Sequence, residues 1–283
     1  MIEHLVGTRY VIPLREGGSL PAVVEAAPEG NFVVKFRGAG QGAKALVAET
    51  LAAGIAAPLG LPIPRAAIVA IGAGFGEAEP DPEIQDILRG SVGENFGLAY
   101  LSGALSYDPA TDGERVSPDL AADIVWFDAL ITNVDRTAKN TNLLLWHDRL
   151  WLIDHGSSLY FHHRWAGWRD RIQTLFAPIK DHVLLPLAND LTAADARLRP
   201  LLTGEIIAAA VGAIPEVWLG GEAEFADVAA HRAAYVDYLL ARLNGPRAWL
   251  QEAIDAQRRG PEQLAVRLTH RPAHLTHPPR RLV

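Results

Sequence analysis

Three polar residues in the middle of the chain have types and spacing that suit phosphoryl transfer. Asp135 is followed five residues later by Asn140, and Asp154 stands in the sequence Asp154-His155-Gly156. Phosphoryl transfer needs a carboxylate that orients the attacking hydroxyl, and it needs oxygen ligands that hold Mg²⁺ against the phosphates. Carboxylate and amide oxygens at these positions are candidates for both tasks.

The segment between the two aspartates is predicted to be a β-hairpin. Apolar residues flank the polar residues 147–149, which is typical of a three-residue hairpin turn. With that turn, Asn142 lies opposite Asp154, and directly opposed residues have Cβ atoms about 5 Å apart. Either Asn140 or Asn142 could then share a cation with Asp154. The alternative is a polar loop whose side chains bond to their own backbone.

A lysine near the N-terminus has a possible role in the same chemistry. Lys35 lies in a predicted strand whose other face carries Phe32, Val34 and Phe36, and the next predicted helix carries Glu49. A strand lysine that is oriented by a helix carboxylate can hold nucleotide phosphates. The alternative for this residue is a solvent-facing lysine on an ordinary strand.

Two glycine-containing segments require separate interpretation. Gly17, Gly18 and Ser19 lie in the predicted turn between the first two strands, where backbone N–H groups could cover phosphates. Two adjacent glycines also form ordinary β-turns. Residues 38–43 match a loose dinucleotide-binding fingerprint, but the acid expected about 20 residues further on is missing.

The elements that must position these residues divide into a β-rich and a helical part. Residues 1–37 alternate short β-type runs with turns, typical of an antiparallel meander, and a helix is predicted over 44–57. Residues 72–93 are predicted to form a polar excursion, that is, a Gly/Pro-containing segment between the regular elements. A boundary between two lobes is predicted near residue 104. Ser117-Pro118-Asp119 predicts a helix start. Further helices are predicted near residues 203–213, 224–243 and 246–258.

Composition limits the function classes. The chain has 283 residues, of which 49% are apolar, so it can bury a sizeable core. The net charge of -7 argues against a nucleic-acid partner. The absence of cysteine excludes disulfides, and the lack of a run of about 18 apolar residues predicts no membrane span. A cytoplasmic location is the expectation.

Four motifs together resemble the HipA-like kinases, bacterial relatives of the protein-kinase and phosphoinositide-kinase fold. They are NVDRTAKNTNLLL at 133–145, LIDHG at 152–156, REGGSLPAVV at 15–24 and VVKF at 33–36. The resemblance implies an α+β, bilobed protein-kinase-like fold with a small β-rich N-lobe (residues 1–104) and a mostly helical C-lobe (residues 105–283). It also implies ATP and Mg²⁺ as cofactors.

The resemblance further implies roles for single residues. Asp135 corresponds to the catalytic aspartate, Asn140 and Asp154 to the metal ligands, and Lys35 to the lysine that contacts phosphate, with Glu49 as its partner. The residues Gly17, Gly18 and Ser19 would form the nucleotide-covering loop.

The predicted function is transfer of the ATP γ-phosphoryl group to a hydroxyl, with protein Ser/Thr as the first expectation for the acceptor. Two alternatives stay open: a nucleotide-binding pseudokinase that acts as a regulatory scaffold, and a small-molecule phosphotransferase. The sequence does not identify the acceptor.

Overall fold

The structure is a computed structural model that describes residues 2–14 and 20–269. The predicted nucleotide-covering turn at Gly17, Gly18 and Ser19 lies outside the described residues. None of the described helices has the length and apolar character needed to cross a membrane.

Five strands near the N-terminus form a closed barrel in the order β1-β2-β3-β5-β4. The strands are β1 (Glu3–Pro13), β2 (Ala22–Ala27), β3 (Gly30–Lys35), β4 (Ala66–Ile71) and β5 (Gly93–Ala99). Pairing is antiparallel except where the first part of β1 runs parallel to β4. The predicted antiparallel meander is therefore confirmed for β1 to β3, while closure by β4 and β5 was not predicted.

Gly7 allows β1 to take part in two pairings. A Cβ atom at this position would lie 3.1 Å from side-chain methyl groups of Val24 and Ile71 inside the barrel. A shift in register follows at Gly7 and Arg9, which marks a bulge. Bulges bend a strand and increase its twist, so this one lets β1 turn from β4 towards β2.

Two helices accompany the barrel. The helix α1 (Gly42–Ala56) agrees with the predicted helix, and it is buried along most of its length. The helix α2 (Pro82–Gly90) lies inside the segment predicted as a polar excursion, so that prediction is wrong for these residues. The side chain of Asp81 accepts a hydrogen bond from the Glu83 N–H, a normal helix N-cap.

A small antiparallel sheet follows, formed by β6 (Leu105–Ser106), β7 (Leu143–Trp146) and β8 (Arg149–Leu152). The prediction of a three-residue turn is wrong, because Trp146 pairs with Arg149 and leaves His147 and Asp148 as the turn. Their φ angles are 48° and 57°. Two consecutive left-handed residues form the type I′ turn that suits a two-residue hairpin.

The shorter turn moves the register by one residue. Asn142 therefore lies opposite Ile153, whose N–H donates to the Asn142 carbonyl at 3.1 Å, and not opposite Asp154 as predicted. Asn142 and Asp154 are therefore not directly opposed, and the predicted reason for them to share a cation does not hold.

The C-terminal part of the described chain is mostly helical. It contains α3 (Pro118–Ile131), α4 (Leu191–Leu198), α5 (Gly204–Gly212), α6 (Val228–Asn244) and α7 (Ala248–Thr269). The Ser117 side chain caps α3 by accepting from the Leu120 N–H, and Pro118 occupies the first turn, which confirms the predicted helix start. At the other end Thr132 adopts φ 55° and terminates the helix.

Two apolar clusters form the core. One fills the barrel interior, and the other joins α1 and the outer barrel face to the C-terminal helices. The helices α1 and α5 approach closely: a Cβ atom on Gly54 would lie 2.7 Å from the Ala210 Cβ atom. The predicted α+β class is confirmed, and the boundary near residue 104 stays a prediction.

Candidate active site

Lys35 joins two parts of the chain that are far apart in sequence. Its Nζ atom lies 2.5 Å from Glu49 Oε1 on α1 and 2.5 Å from Asp154 Oδ1, just after β8. The strand alternation explains the direction, since Phe32 and Val34 point into the barrel and leave Lys35 on the outer face. The interpretation of Lys35 as a solvent-facing residue is wrong, because its side chain is only 11% exposed.

The ion pairs fix the charge states of this cluster. Burial disfavours a charged lysine, but the carboxylates of Glu49 and Asp154 outweigh this effect and hold the pKa of Lys35 above its usual value. Burial would likewise raise the pKa of Glu49, but the Lys35 ammonium lowers it to about 2. Both groups are therefore charged at neutral pH.

Asp135 lies in the loop of residues 133–142 that follows α3. Its Oδ2 atom accepts from the Asn140 amide at 3.0 Å and more weakly from the Asn142 amide at 3.5 Å. The Asn142 amide also donates to the Asp135 carbonyl at 2.9 Å. The loop thus bonds to itself, as the alternative interpretation expected, and at the same time it holds Asp135 and Asn140 together.

Arg136 connects this loop to the segment that carries Asp154. The residue is buried, with 1% of its surface exposed. Its Nη1 atom donates to the carbonyls of Asn142 at 2.5 Å and Ile153 at 3.4 Å. A single guanidinium therefore holds the end of the Asp135 loop against the residue before Asp154.

A buried aspartate on α3 compensates this guanidinium. Asp128 Oδ2 accepts from Arg136 Nε at 2.6 Å and from His182 Nε2 at 2.9 Å, and Oδ1 accepts from Asn133 at 2.9 Å. Burial would raise the pKa of Asp128, but Arg136 outweighs it and holds that pKa well below the usual range. Asp128 is thus a buried negative charge on α3 that binds two residues of the loop, Asn133 and Arg136.

His182 takes part in this network as a neutral ring. Its Nδ1 atom accepts from the Leu184 N–H at 3.1 Å, so the ring proton lies on Nε2 and is donated to Asp128. Burial lowers the pKa of His182 despite the neighbouring carboxylate. None of the sequence motifs predicted a role for Asp128, Arg136 or His182. The detectable signal was Asp128, a charged residue within the apolar stretch of α3.

The comparison with known proteins decides the family. A profile described as HipA-like kinase matches residues 11–252, which is most of the chain. The chain belongs to the HipA-like kinases. This confirms the resemblance predicted from the motifs, and it makes the protein a phosphotransferase.

The HipA-like kinase is also similar to a solved structure, described as a Helicobacter pylori proinflammatory kinase CtkA. The identity is 13% and the TM-score is 0.54, over 93% of this chain and 99% of that chain. At this level of identity the likeness shows a shared fold only. No functionally curated protein matches the sequence significantly.

His155 lies between the two charged clusters of this HipA-like kinase. Its Nε2 atom is 2.8 Å from Arg136 Nη2, and because arginine always donates, the neutral ring carries its proton on Nδ1. Nδ1 is 3.8 Å from Glu49 Oε2, beyond hydrogen-bond distance. Both atoms are buried without a hydrogen-bond partner among the described residues. If these two atoms moved about 1 Å closer, His155 Nδ1 could donate a hydrogen bond to Glu49 Oε2.

The donor set of the site fits a magnesium ion. Asp154 is 38% exposed and has one carboxylate oxygen outside its contact with Lys35, and Asn140 is exposed. Carboxylate and amide oxygens are the hard ligands that Mg²⁺ prefers. Among the described residues no three His, Cys, Asp or Glu side chains form a metal-binding group, so the amide oxygen of Asn140 or Asn142 would have to contribute.

The geometry assembles most of the predicted site. Lys35, Glu49 and Asp154 meet directly, Asp135 and Asn140 meet directly, and Arg136 links the two groups. The functional roles of these residues are not tested by this arrangement and stay predictions.

Proposed function

We propose that this HipA-like kinase transfers the γ-phosphoryl group of ATP, with Mg²⁺, to a serine or threonine hydroxyl of a protein. The observation that carries the proposal is the meeting of Lys35, Glu49 and Asp154 within 2.5 Å contacts, although 119 residues separate Lys35 from Asp154. In this proposal the barrel and the helical part are the two lobes of a kinase fold. ATP lies between them, and residues 96–101 are the place to look for adenine contacts.

The residues divide the work between positioning and proton transfer. Asp135 Oδ2 is held by two amides, while Oδ1 has no hydrogen-bond partner among the described residues and can accept the proton of the attacking hydroxyl. Lys35 supplies positive charge for phosphate oxygens, and Glu49 orients it. Asn140 and Asp154 would hold the metal, which when bound neutralises charge on the phosphates.

The transfer is balanced in bonds and protons. The bond between the γ-phosphorus and the bridging oxygen of ADP breaks, and a bond between the γ-phosphorus and the acceptor oxygen forms. The hydroxyl proton passes to the Asp135 carboxylate and then to solvent. ADP leaves with the electron pair of the broken bond.

The test is Mg-ATP turnover by the purified protein, followed by mass spectrometry of the protein and of added lysate. We expect Asp135→Ala and Asp154→Ala to abolish phosphoryl transfer. Asp86→Ala is the matched control, because Asp86 is 75% exposed on α2 and pairs only with Arg89 among the described residues. Its activity should equal that of the wild type.

Three other results would lead to different conclusions. Nucleotide binding without turnover in the wild type would contradict a kinase and favour a regulatory scaffold. Turnover that labels no protein but does label a small molecule would contradict the protein acceptor. Full activity in Asp135→Ala would contradict the role assigned to this carboxylate.

A further inference from the structure

A groove opens beside the loop that carries Asp135. It has a volume of about 440 Å³, and Thr132 and Val134 form one edge of it, directly before Asp135 in the chain. Residues after Asp154 also line it, among them Tyr160, whose N–H donates to Thr132 Oγ1 at 3.3 Å, and Leu175. The groove is therefore lined by the residue directly before the aspartate that is proposed to receive the acceptor's proton.

Hydrogen bonds fix the two walls of the groove relative to each other. The buried Arg242 on α6 donates to the carbonyls of Ala129 and Leu130 at the end of α3, at 3.1 and 2.8 Å. It also donates to the carbonyls of Ile172 and Thr174, at 2.8 and 3.3 Å. One side chain thus connects both walls, so the groove exists before any acceptor binds.

The groove is lined mainly by apolar side chains. On its floor Phe161 stacks on Tyr238, with ring centroids 3.4 Å apart. At its edges Val134, Tyr160 and Leu175 are 37%, 69% and 57% exposed. Exposed apolar residues that cluster are typical of surfaces that bind another polypeptide, whereas small-molecule sites enclose their apolar walls.

The charges around the groove have one sign. Its lining includes Arg164, Arg171 and Arg242 and no acidic residue. Arg171 and Arg242 donate to backbone carbonyls, and the exposed Arg164 guanidinium has no hydrogen bond or ion pair within the described residues. In a chain of net charge -7 this is a local excess of positive charge that would attract an acidic group.

We propose that this groove selects the acceptor, and that the acceptor is a polypeptide segment with a large apolar residue and an acidic residue near the phosphorylated serine or threonine. The apolar residue fills the groove between Val134 and Leu175, and the acidic residue faces Arg164. The proposal rests on the proposed kinase function, and it adds the chemical class of the substrate.

The test uses synthetic peptides with the purified full chain and Mg-ATP. Each peptide has a central serine in an alanine background, with leucine and either glutamate or lysine moved through the flanking positions. We expect a peptide that has both leucine and glutamate to be phosphorylated with a kcat/KM about tenfold or more above that of peptides lacking the leucine.

Two substitutions test the apolar part and the charged part separately. Leu175→Asp should lower kcat/KM for the best peptide by about tenfold. Its matched control is Leu201→Asp, because Leu201 is similarly exposed, at 49%, and does not line the groove. Arg164→Glu should reverse the preference from glutamate to lysine, whereas Arg149→Glu, at an exposed arginine outside the groove, should not.

ATP consumption without peptide is measured for every variant, so that loss of the nucleotide site is distinguished from loss of the groove. Equal effects of Leu175→Asp and Leu201→Asp would overturn the groove proposal while leaving the kinase function intact. So would phosphorylation that is independent of leucine and glutamate, or ATP consumption with no peptide accepted. Absence of ATP consumption in the wild type would instead overturn the proposed function, and the groove proposal with it.

Discussion

At the scale of single residues, Lys35 forms ion pairs with two carboxylates that have different proposed roles. Glu49 lies on α1 and is 1% exposed, whereas Asp154 is 38% exposed and is a proposed metal ligand. If Asp154 binds the metal as proposed, Lys35 would keep Glu49 as its partner and would be free to face the phosphates. In the proposed function the buried carboxylate of Glu49 would orient Lys35, and the exposed carboxylate of Asp154 would exchange Lys35 for the metal.

This difference predicts a ranking of variants. Lys35→Met should lower kcat/KM for ATP turnover by about 10²- to 10³-fold, because a preorganised positive charge at the phosphates is lost. Glu49→Gln should have a smaller effect, since Lys35 remains but loses its orienting charge. Steady-state kinetics measure both. Lys180→Met is the control, because Lys180 is 57% exposed and pairs with Asp181. A larger loss in Glu49→Gln than in Lys35→Met would contradict the ranking.

His155 is the second residue for which a specific outcome follows. His155→Phe keeps a ring but removes the acceptor for Arg136 Nη2, so the free energy of unfolding should fall by about 1–3 kcal/mol. Urea denaturation measures this change. His163→Phe is the control, because His163 is exposed in the same segment. Equal stability of His155→Phe and the wild type would show that the Arg136 bond contributes little.

At the scale of elements, α3 is both the centre of the helical core and the support of the Asp135 loop. Asp128→Ala should destabilise the protein by about 3–5 kcal/mol, because Arg136 would be left as a buried charge without its carboxylate. Asp123→Ala on the same helix is the matched control. Asp123 pairs with Arg197 near the surface, where a salt bridge contributes about 0–1 kcal/mol. Urea denaturation of the two variants should separate them clearly.

Local signals were predictable from the sequence, and long-range pairings were not. The capping residue Ser117 and the following proline located the start of α3, and the alternation around Lys35 gave its correct face. The hairpin register was wrong because it depended on whether His147 and Asp148 adopt left-handed backbone angles, which residue types alone do not decide. Barrel closure between β1 and β4 depends on contacts across more than 60 residues.

The candidate site follows the same division. Asp135, Asn140 and Asp154 were identified because their spacing within one loop and one hairpin is a local property. The role of Arg136 was not predictable, because its partners are separated in sequence, from Asp128 to His155, and meet only in the folded chain. A buried ion pair of this kind has no fixed sequence spacing.

At the scale of the whole molecule, several histidines are buried as neutral rings. Burial lowers the pKa values of His162, His182 and His231 below the usual 6.5. The Lys44 ammonium also disfavours protonation of His162, as would a proton on His163 or His231. The unfolded chain takes up protons at these positions as the pH falls through 6.5, and the folded chain does not. Stability is therefore present above this pH and decreases below it.

The prediction is that the free energy of unfolding falls between pH 7 and pH 5, by up to about 1.4 kcal/mol per pH unit for each histidine involved, and that the melting temperature falls with it. Glu49 does not interfere, because its stabilisation is lost only as the pH falls from about 4.5 towards 2. His162→Phe should reduce the slope of unfolding free energy against pH, and His4→Phe at an exposed position should not. An unchanged slope in His162→Phe would contradict the assignment.

The contact between Gly54 and Ala210 connects the helix that carries Glu49 to α5 in the helical part of the protein. There is no room for a methyl group between α1 and α5, so a side chain at Gly54 would force the two helices apart. Lys44, near the start of α1, is further tied to Glu222 at 2.6 Å, outside the barrel. Glu49 lies on the same helix as Gly54 and Lys44, so the packing of α5 and the ion pair with Glu222 both help to place the carboxylate that pairs with Lys35.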